Sequence, residues 1–444
     1  MKHYITCYID RYIVYRGCNS LIKLLVLFKK STLSILTLFG LGLSFSHHAL
    51  AAPFELLHWW TEQGELQSKQ VLVDHLKVND IEFEDFAIVG GGGGGAIHVL
   101  QMRALSGNPP EAAQIKGPDI AEWNNLSMLV GINELTDTST WQQFLPKVVI
   151  DDISVDNNYM AVPINIHRVN WLWLNTKIFK QYDLAAPTTW KQFFKTATFL
   201  TSKGIKPLVF GGTPWQDALL FESIAISELG AEQYKQAFVE FNHDEISSPE
   251  MVNTFKLFKQ FHRYATPEQQ GQDWTWSSQA FINNEAAMLF MGDWVKGSWT
   301  ALGKKAMQDY QCVPAPGTQG VFSYNIDSFV LFKKAHLSPD QHSQSIFVDT
   351  LMSPGFQQDF SQLKGSIPVR SDLDLSGFDA CSQLSSTDFK HDSKVPSFTQ
   401  NMATSSHQKA QIIQLVSDYF NSDSLSAEDA VRQLGVLVKA LTSK

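Results

Sequence analysis

The chain is 444 residues long, 44% hydrophobic and 18% charged, with a formal net charge of −9. That length outgrows a single hydrophobic core and calls for two large lobes, and an ordinary composition excludes a disordered or fibrous protein. The acidic balance lacks the basic footprint of nucleic-acid binding, so no nucleic-acid partner is expected.

Residues 1–30 carry Lys2, Arg11, Arg16, Lys23, Lys29 and Lys30 against a single acid, Asp10. Residues 34–46 (SILTLFGLGLSFS) are uncharged and apolar, and Ala49-Leu50-Ala51 precedes Ala52-Pro53. A basic region, a short apolar core and an A-x-A site read as a secretory signal peptide over residues 1–51. The apolar core is too short for a membrane span. The basic region is long for such a leader, which leaves the start codon open. Cys7 and Cys18 leave with the leader, while Cys312 and Cys381 remain. In an oxidising compartment those two either pair or stay as buried thiols.

The first stretch beyond the leader is Leu56 to Glu65, LLHWWTEQGE. Neighbours in a strand point to opposite faces. Trp59 and Trp60 therefore cannot share one core layer: at a strand's end one closes the hydrophobic layer while the other stands in a crevice near Glu65, the alternative being two core tryptophans. ELQSKQVLVDHLKVN predicts a helix with Leu66, Val73 and Leu76 on one face. IEFEDFAIVG predicts a strand, and six glycines, Gly90 to Gly95, then open into the helical AIHVLQMRALSG. A Gly-rich turn at a helix N-terminus points backbone N–H groups at a ligand. The absence of a following Lys-Ser/Thr excludes a nucleotide phosphate loop.

NPPEAAQIKGPDIAEW predicts a short strand ending at Gln114–Lys116 and a helix capped by Asp119. NYMAVPINIHRVNWLWLN gives two apolar runs separated by a polar break from Asn165 to Asn170. Helical and strand patterns then alternate through PTTWKQFFKTATFLTSKG, IKPLVFGG, DALLFESIAISELG and SPEMVNTFKLFKQFHRY. WTWSSQAFINNEAAMLFMGDW adds a helix, a turn and a strand, and YNIDSFVLF a strand with Asp327 inside it. This alternation makes an α/β chain whose ligand lies beyond the strand ends.

No catalytic constellation assembles: there is no G-x-S-x-G, no HExxH and no His/Cys cluster at metal spacing. No cofactor or metal is expected, and His98 and His167 read as structural. A secreted hydrolase using Glu65 and Asp327 is the enzymatic alternative, but the carboxylates, Asp293 included, single out no acid and base. What recurs is an aromatic beside a hydroxyl-binding group: Trp59/Trp60 with Glu65, Trp274/Trp276 with Asp273, and Trp294 with Asp293. That pairing suits a small polar ligand held and released unchanged.

WWTEQGE, the glycine run, SGNPPEAAQIKGPDI, AVPINIHRVNWLWLN, GGTPWQD, FESI, MGDW, CVPAPGT, NIDSF and KGSIPVR occur in this order. Together, over residues 54–440, they resemble the periplasmic sugar-binding proteins of ATP-driven importers, solute-binding family 1, glucose/mannose type. The resemblance implies a hinged, two-lobed type II binding-protein fold, with residues 52–165 and 313–355 in one lobe and 166–312 and 356–444 in the other. The chain would cross near Asn165–Val169, near Cys312–Pro316 and in a helix around Met352–Phe356. It also implies a Cys312–Cys381 disulfide, a monomer, a monosaccharide ligand and inner-membrane permease partners. A sensor with the same fold is the other non-enzymatic alternative.

Carried onto this chain, the resemblance places Trp59, Trp60 and Glu65 on the sugar from the first lobe. Gly93 and Gly94 would offer backbone amides, while Gln114 and Lys116 would reach ring hydroxyls. Trp274 and Trp294 would close from the second lobe. Asp327 would accept hydroxyl protons, Lys364 would donate, and Gln400 would complete the site. Two positions depart from the glucose-type pattern: Gly94 where relatives tend to have Asp, and Gln400 where they tend to have His. Glutamine bonds a hydroxyl but cannot become cationic.

Overall fold

The computed structural model describes residues 53–89, 94–333 and 341–442. Gly93 and the leader lie outside the described residues. Twelve strands form among the described residues: β1 Phe54–His58, β2 Phe83–Ala87, β3 Ala112–Gln114, β4 Ser154–Val155, β5 Asn158–Tyr159, β6 Val162–Arg168, β7 Trp171–Asn175, β8 Leu208–Val209, β9 Met288–Phe290, β10 Tyr310–Pro314, β11 Val321–Leu331 and β12 Ser393–Pro396. Helical crossovers leave β1 parallel to β2 and β3, as strand–helix–strand units require. The first sheet runs β12-β11-β3-β1-β2, with β6 antiparallel on β11, and the second runs β10-β7-β9-β8.

Each sheet carries its own core. Leu56, Leu57, Trp60, Phe329 and Phe347 belong to the first, and Trp171, Trp173, Phe193, Phe221 and Trp299 to the second. The chain leaves the first sheet between Arg168 and Trp171 and returns between Pro314 and Val321. The polar stretch read as a break is strand up to Arg168, because Asn165, His167 and Arg168 all find buried partners there.

The last crossing lies later than the expected Met352–Phe356. Phe356 and Phe360 of helix Pro354–Lys364 stack on each other at 5.1 Å in the first core, with Phe360 5.4 Å from Trp60. Ile367 and Val369 stay in that core too. Cys381 already touches the second core while Phe389 keeps to the first, and the weight shifts around β12, which pairs with β11 while Val395 and Phe398 pack into the second core. Helices Ser406–Asn421 and Ala427–Thr442 then complete the second lobe. Cys312 and Cys381 are bonded, joining β10 to the start of helix Ala380–His391.

Two local expectations are corrected. The buried stripe of helix Gln63–Val78 is Gly64, Ser68, Leu72 and Leu76, while Leu66 is exposed. Its small residues let other helices approach: a Cβ on Gly64 would sit 2.3 Å from the backbone of Gly297 in helix Val295–Ala301. That second helix belongs to the other core through Val295 and Trp299, so the two lobes meet backbone to backbone here. Asp119, in turn, does not cap its own helix, whose N-cap is Gly117. Its carboxylate accepts from the Ser406 N–H at 2.9 Å, at the start of helix Ser406–Asn421.

Gly64→Ala forces a methyl into that contact. Overpacking of this kind costs about 1–3 kcal/mol; urea unfolding should show the loss, or scattering an increased radius of gyration, and a variant that shows no change in either measurement refutes the tight contact. Asp217 offers a pH test. It accepts from Ser417 Oγ at 2.7 Å and Asn421 Nδ2 at 3.3 Å, and burial pushes its carboxyl up to about 7. A folded value above the unfolded one means that its contribution is full below pH ~4 and lost as pH rises through ~7. Asp217→Asn should therefore melt higher than the parent at pH 8, the gain shrinking toward pH 4.

Candidate functional site

Beyond the strand ends lies a cleft of about 510 Å³, walled by both lobes. Just beyond β1, which ends at His58, the two tryptophans part. Trp60 is fully buried, edge-on to Phe329 at 5.5 Å, and contributes to the cleft wall. Trp59 is only partly buried, with Lys116 Nζ 5.6 Å from its ring centre. Glu65, one turn into the following helix, accepts from the N–H groups of Thr61 and Glu62 at 3.1 and 3.3 Å. Its other oxygen accepts from Lys364 Nζ at 2.8 Å. Lys364 reaches it from the end of helix Pro354–Lys364, with its Nζ 5.5 Å from the Trp60 ring centre.

A buried chain of charge crosses the floor. Lys116 Nζ donates to Asn325 Oδ1 at 2.7 Å and to Asp327 Oδ1 at 3.1 Å. Asp327 Oδ2 lies 3.4 Å from His167 Nε2, and His167 Nδ1 bonds Asp293 Oδ1. Asp293 Oδ2 also accepts from the Arg168 N–H at 3.0 Å. The chain thus passes from β3 through β11 and β6 to the loop after β9, from one lobe to the other. Burial alone would neutralise both Asp327 and His167. For Asp327, Lys116, His167 and Lys364 outweigh it and hold the carboxyl well below its usual range. For His167, Asp293 and Asp327 outweigh it and raise the imidazole, favouring its charged form.

The opposite wall is aromatic. Trp215 and Trp294 lie 6.0 Å apart at 39°, and Trp294 meets His167 edge-on at 5.7 Å. Trp215 Nε1 donates to Thr399 O at 3.2 Å. Trp274 opens helix Trp274–Ile282, whose N-cap Asp273 accepts from Thr275 N and Trp276 N. Gln400 lines the cleft from the segment between β12 and the last two helices.

The sequence profile of the bacterial extracellular solute-binding proteins matches residues 67–338. The chain belongs to that family. A probable sugar-binding periplasmic protein of Brucella melitensis is 34% identical over 391 residues, 87% of this chain and 92% of the relative. Its counterpart in Rhizobium meliloti is 33% identical over 395 residues, 88% and 94% of the two chains. Among solved structures, a chitin oligosaccharide binding protein superposes with a TM-score of 0.76 at 16% identity, over 88% of this chain and 98% of that one. A bacterial solute receptor described as exclusive for β-D-galactopyranose gives 0.75 at 14%, over 88% and 99%. At such identities these likenesses establish the fold, that of two-domain periplasmic binding proteins.

In this solute-binding protein, nine of the expected positions stand together on the cleft wall: Trp59, Trp60, Glu65, Lys116, Trp274, Trp294, Asp327, Lys364 and Gln400. Gln114 does not. It is fully buried in β3 between β1 and β11, and neither amide atom has a hydrogen-bond partner among the described residues. Gly94 begins helix Gly94–Leu105, and Val89, before the glycine run, contributes to the wall. Asn325, His167, Thr213 and Trp215 line the cleft without having been assigned to it. Asn325 was detectable as the residue two before Asp327, on the same strand face. Trp215 sat within GGTPWQD, and His167 between two apolar runs, where its buried acidic partners are invisible in sequence.

Removing Lys116 should show what the charge chain is worth. Breaking one side of a buried ion pair typically costs about 3–5 kcal/mol. Lys116→Met should lose on that order in urea unfolding at pH 7, and an unchanged midpoint would mean that Asp327 is sufficiently held by His167 and Asn325.

Proposed function

We propose that this protein is the periplasmic sugar-binding component of an ABC importer, taking a hexose, glucose or a close relative, in the cleft and delivering it to the membrane permease. The observation that carries the reading is the composition of the cleft. The indoles of Trp59, Trp274 and Trp294 line it together with fixed donors and acceptors, Lys116, Lys364, Glu65 and Asp327. A pyranose has that same division, C–H faces bordered by hydroxyls, and a few convergent polar groups in an apolar cleft set its orientation. The relatives named sugar-binding periplasmic proteins support the ligand class, while the structural neighbours take different sugars.

Trp60 Nε1 and Gln400 Nε2 are buried donors with no partner among the described residues. A sugar hydroxyl would satisfy such a group, and leaving it unmet is costly. Gln400 supplies an uncharged amide in place of an imidazole, so the site accepts or donates one hydroxyl bond there without adding charge. The low-lying Asp327 carboxyl argues against a general acid at that position, and binding without chemistry is the reading we adopt. Contact with both lobes stabilises their closed arrangement, which the permease reads. Residues 1–51 act as the export leader, and the exported protein works as a monomer.

Thermal unfolding of residues 52–444 with glucose, mannose, galactose, xylose and maltose tests the reading. A ligand at 100 times its Kd adds about 2.7 kcal/mol, a shift of a few degrees. Lys364→Ala should weaken the responsive sugar about ten- to a hundredfold, as loss of a charged hydrogen bond implies. No shift with any of the five sugars would remove the hexose assignment, and unchanged affinity in Lys364→Ala would remove that residue from the site.

A further inference from the structure

We propose that a second cavity, beside the hinge strand and separate from the sugar cleft, binds a small amphipathic anion: one carboxylate on an apolar body. The cavity measures about 360 Å³ and shares no lining residue with the cleft. Its apolar lining includes Ile166 of β6, Ile367, Val369 and Phe389. Four cations line it as well, Lys147, Arg370, Lys390 and Lys394, and no carboxylate does. In a chain with 44 acids against 35 bases, an all-basic lining is a local reversal of sign.

Two of those cations are already neutralised. Lys147 pairs with Asp151 at 2.6 Å, and Arg370 with Asp372 at 2.6 Å. Lys390 and Lys394 form no ion pair within 4.0 Å among the described residues, though the Asp392 carboxylate acts on Lys394 from further away. Lys394 Nζ lies 5.5 Å from the Phe389 ring centre and donates to the Asp392 carbonyl at 3.1 Å. A carboxylate bridging these two lysines, with its hydrocarbon on Phe389 and the isoleucines, would meet both halves of the lining.

The position ties occupancy to the hinge. Ile166 and Ile367 exchange backbone hydrogen bonds of 2.8 and 3.0 Å at the cavity wall. Asp388 and Asp392, which flank Phe389 and Lys390 in sequence, both pair with Arg168 at the first crossing. An occupant therefore rests on the elements that hold the crossing strand.

Octanoate is the probe, compared by calorimetry with 1-octanol and octyltrimethylammonium, which keep the chain but remove or reverse the charge. Octanoate should bind at a single site and the other two at least about tenfold more weakly, the worth of one charged hydrogen bond. Lys390→Glu with Lys394→Glu should weaken octanoate by a similar factor while leaving the sugar-induced melting shift intact. Lys364→Ala, in the cleft, should leave octanoate binding unchanged, so that failure of the sugar reading and failure of this one are distinguishable. No octanoate binding up to about 1 mM, the weak end of specific affinities, would overturn the proposal. So would equal binding of octanol, or unchanged binding by the double variant.

Discussion

Everything in the cleft is arranged around a line of buried charge, Lys116 to Asp327 to His167 to Asp293. An isolated ion in a protein interior costs several kcal/mol, and its partner offsets that only in good geometry. The line therefore constrains the backbone that carries it. Lys116 must follow β3, Asp327 on β11 must pair with Asn165 on β6, and Asp293 must reach back from the loop after β9 to the end of β6. The register of the first sheet and the placement of the crossing strand are consequences of the same set of contacts.

The first crossing is held from its other side as well. Arg168, fully buried, lies over Trp171 at 4.3 Å and Phe322 at 5.0 Å and pairs with Asp388 and Asp392. Asn170 donates to Thr318 Oγ1 and Val321 O, both at 2.9 Å, joining the two connections between the sheets. Consecutive residues thus face opposite supports, His167 the cleft charges and Arg168 the outer carboxylates.

Much of this was legible before any coordinates. The alternation of strand and helix patterns specified an α/β architecture, and the Trp59/Trp60 pair after an apolar run pointed to a strand end with one indole buried and the other partly open. Lys116, Asp327 and Lys364 were located by ordered motifs, not by local periodicity. What stayed hidden depends on contacts distant in sequence. Gln114 carries the residue type of a ligand contact, yet β1 and β11 enclose it on both sides. Leu66 fits a helical face by spacing, yet Gly64 and Ser68 occupy the buried stripe because another helix needs backbone proximity there. The late crossing was missed because Phe360 packs on Trp60 and Phe356 stacks on Phe360, ring contacts that no spacing rule anticipates.

Those same ring contacts explain how one site can be sensitive to the relative placement of two lobes. Lys364 sits at the end of the helix that Phe356 and Phe360 anchor to the first core, and Gly365 follows it in the left-handed region at φ 82°. A Cβ on Gly365 would meet the Asp293 carbonyl at 2.7 Å and Gly297 N at 3.0 Å, both in the second lobe. The residue that presents a cation to the cleft is thus adjacent to a backbone contact with the opposite lobe. On the proposed function, a ligand that engages Lys364 and Asp327 touches two groups whose neighbours, Gly365 and His167, already bear on the second lobe. Binding and closure then draw on one set of positions, and no separate relay between them is required.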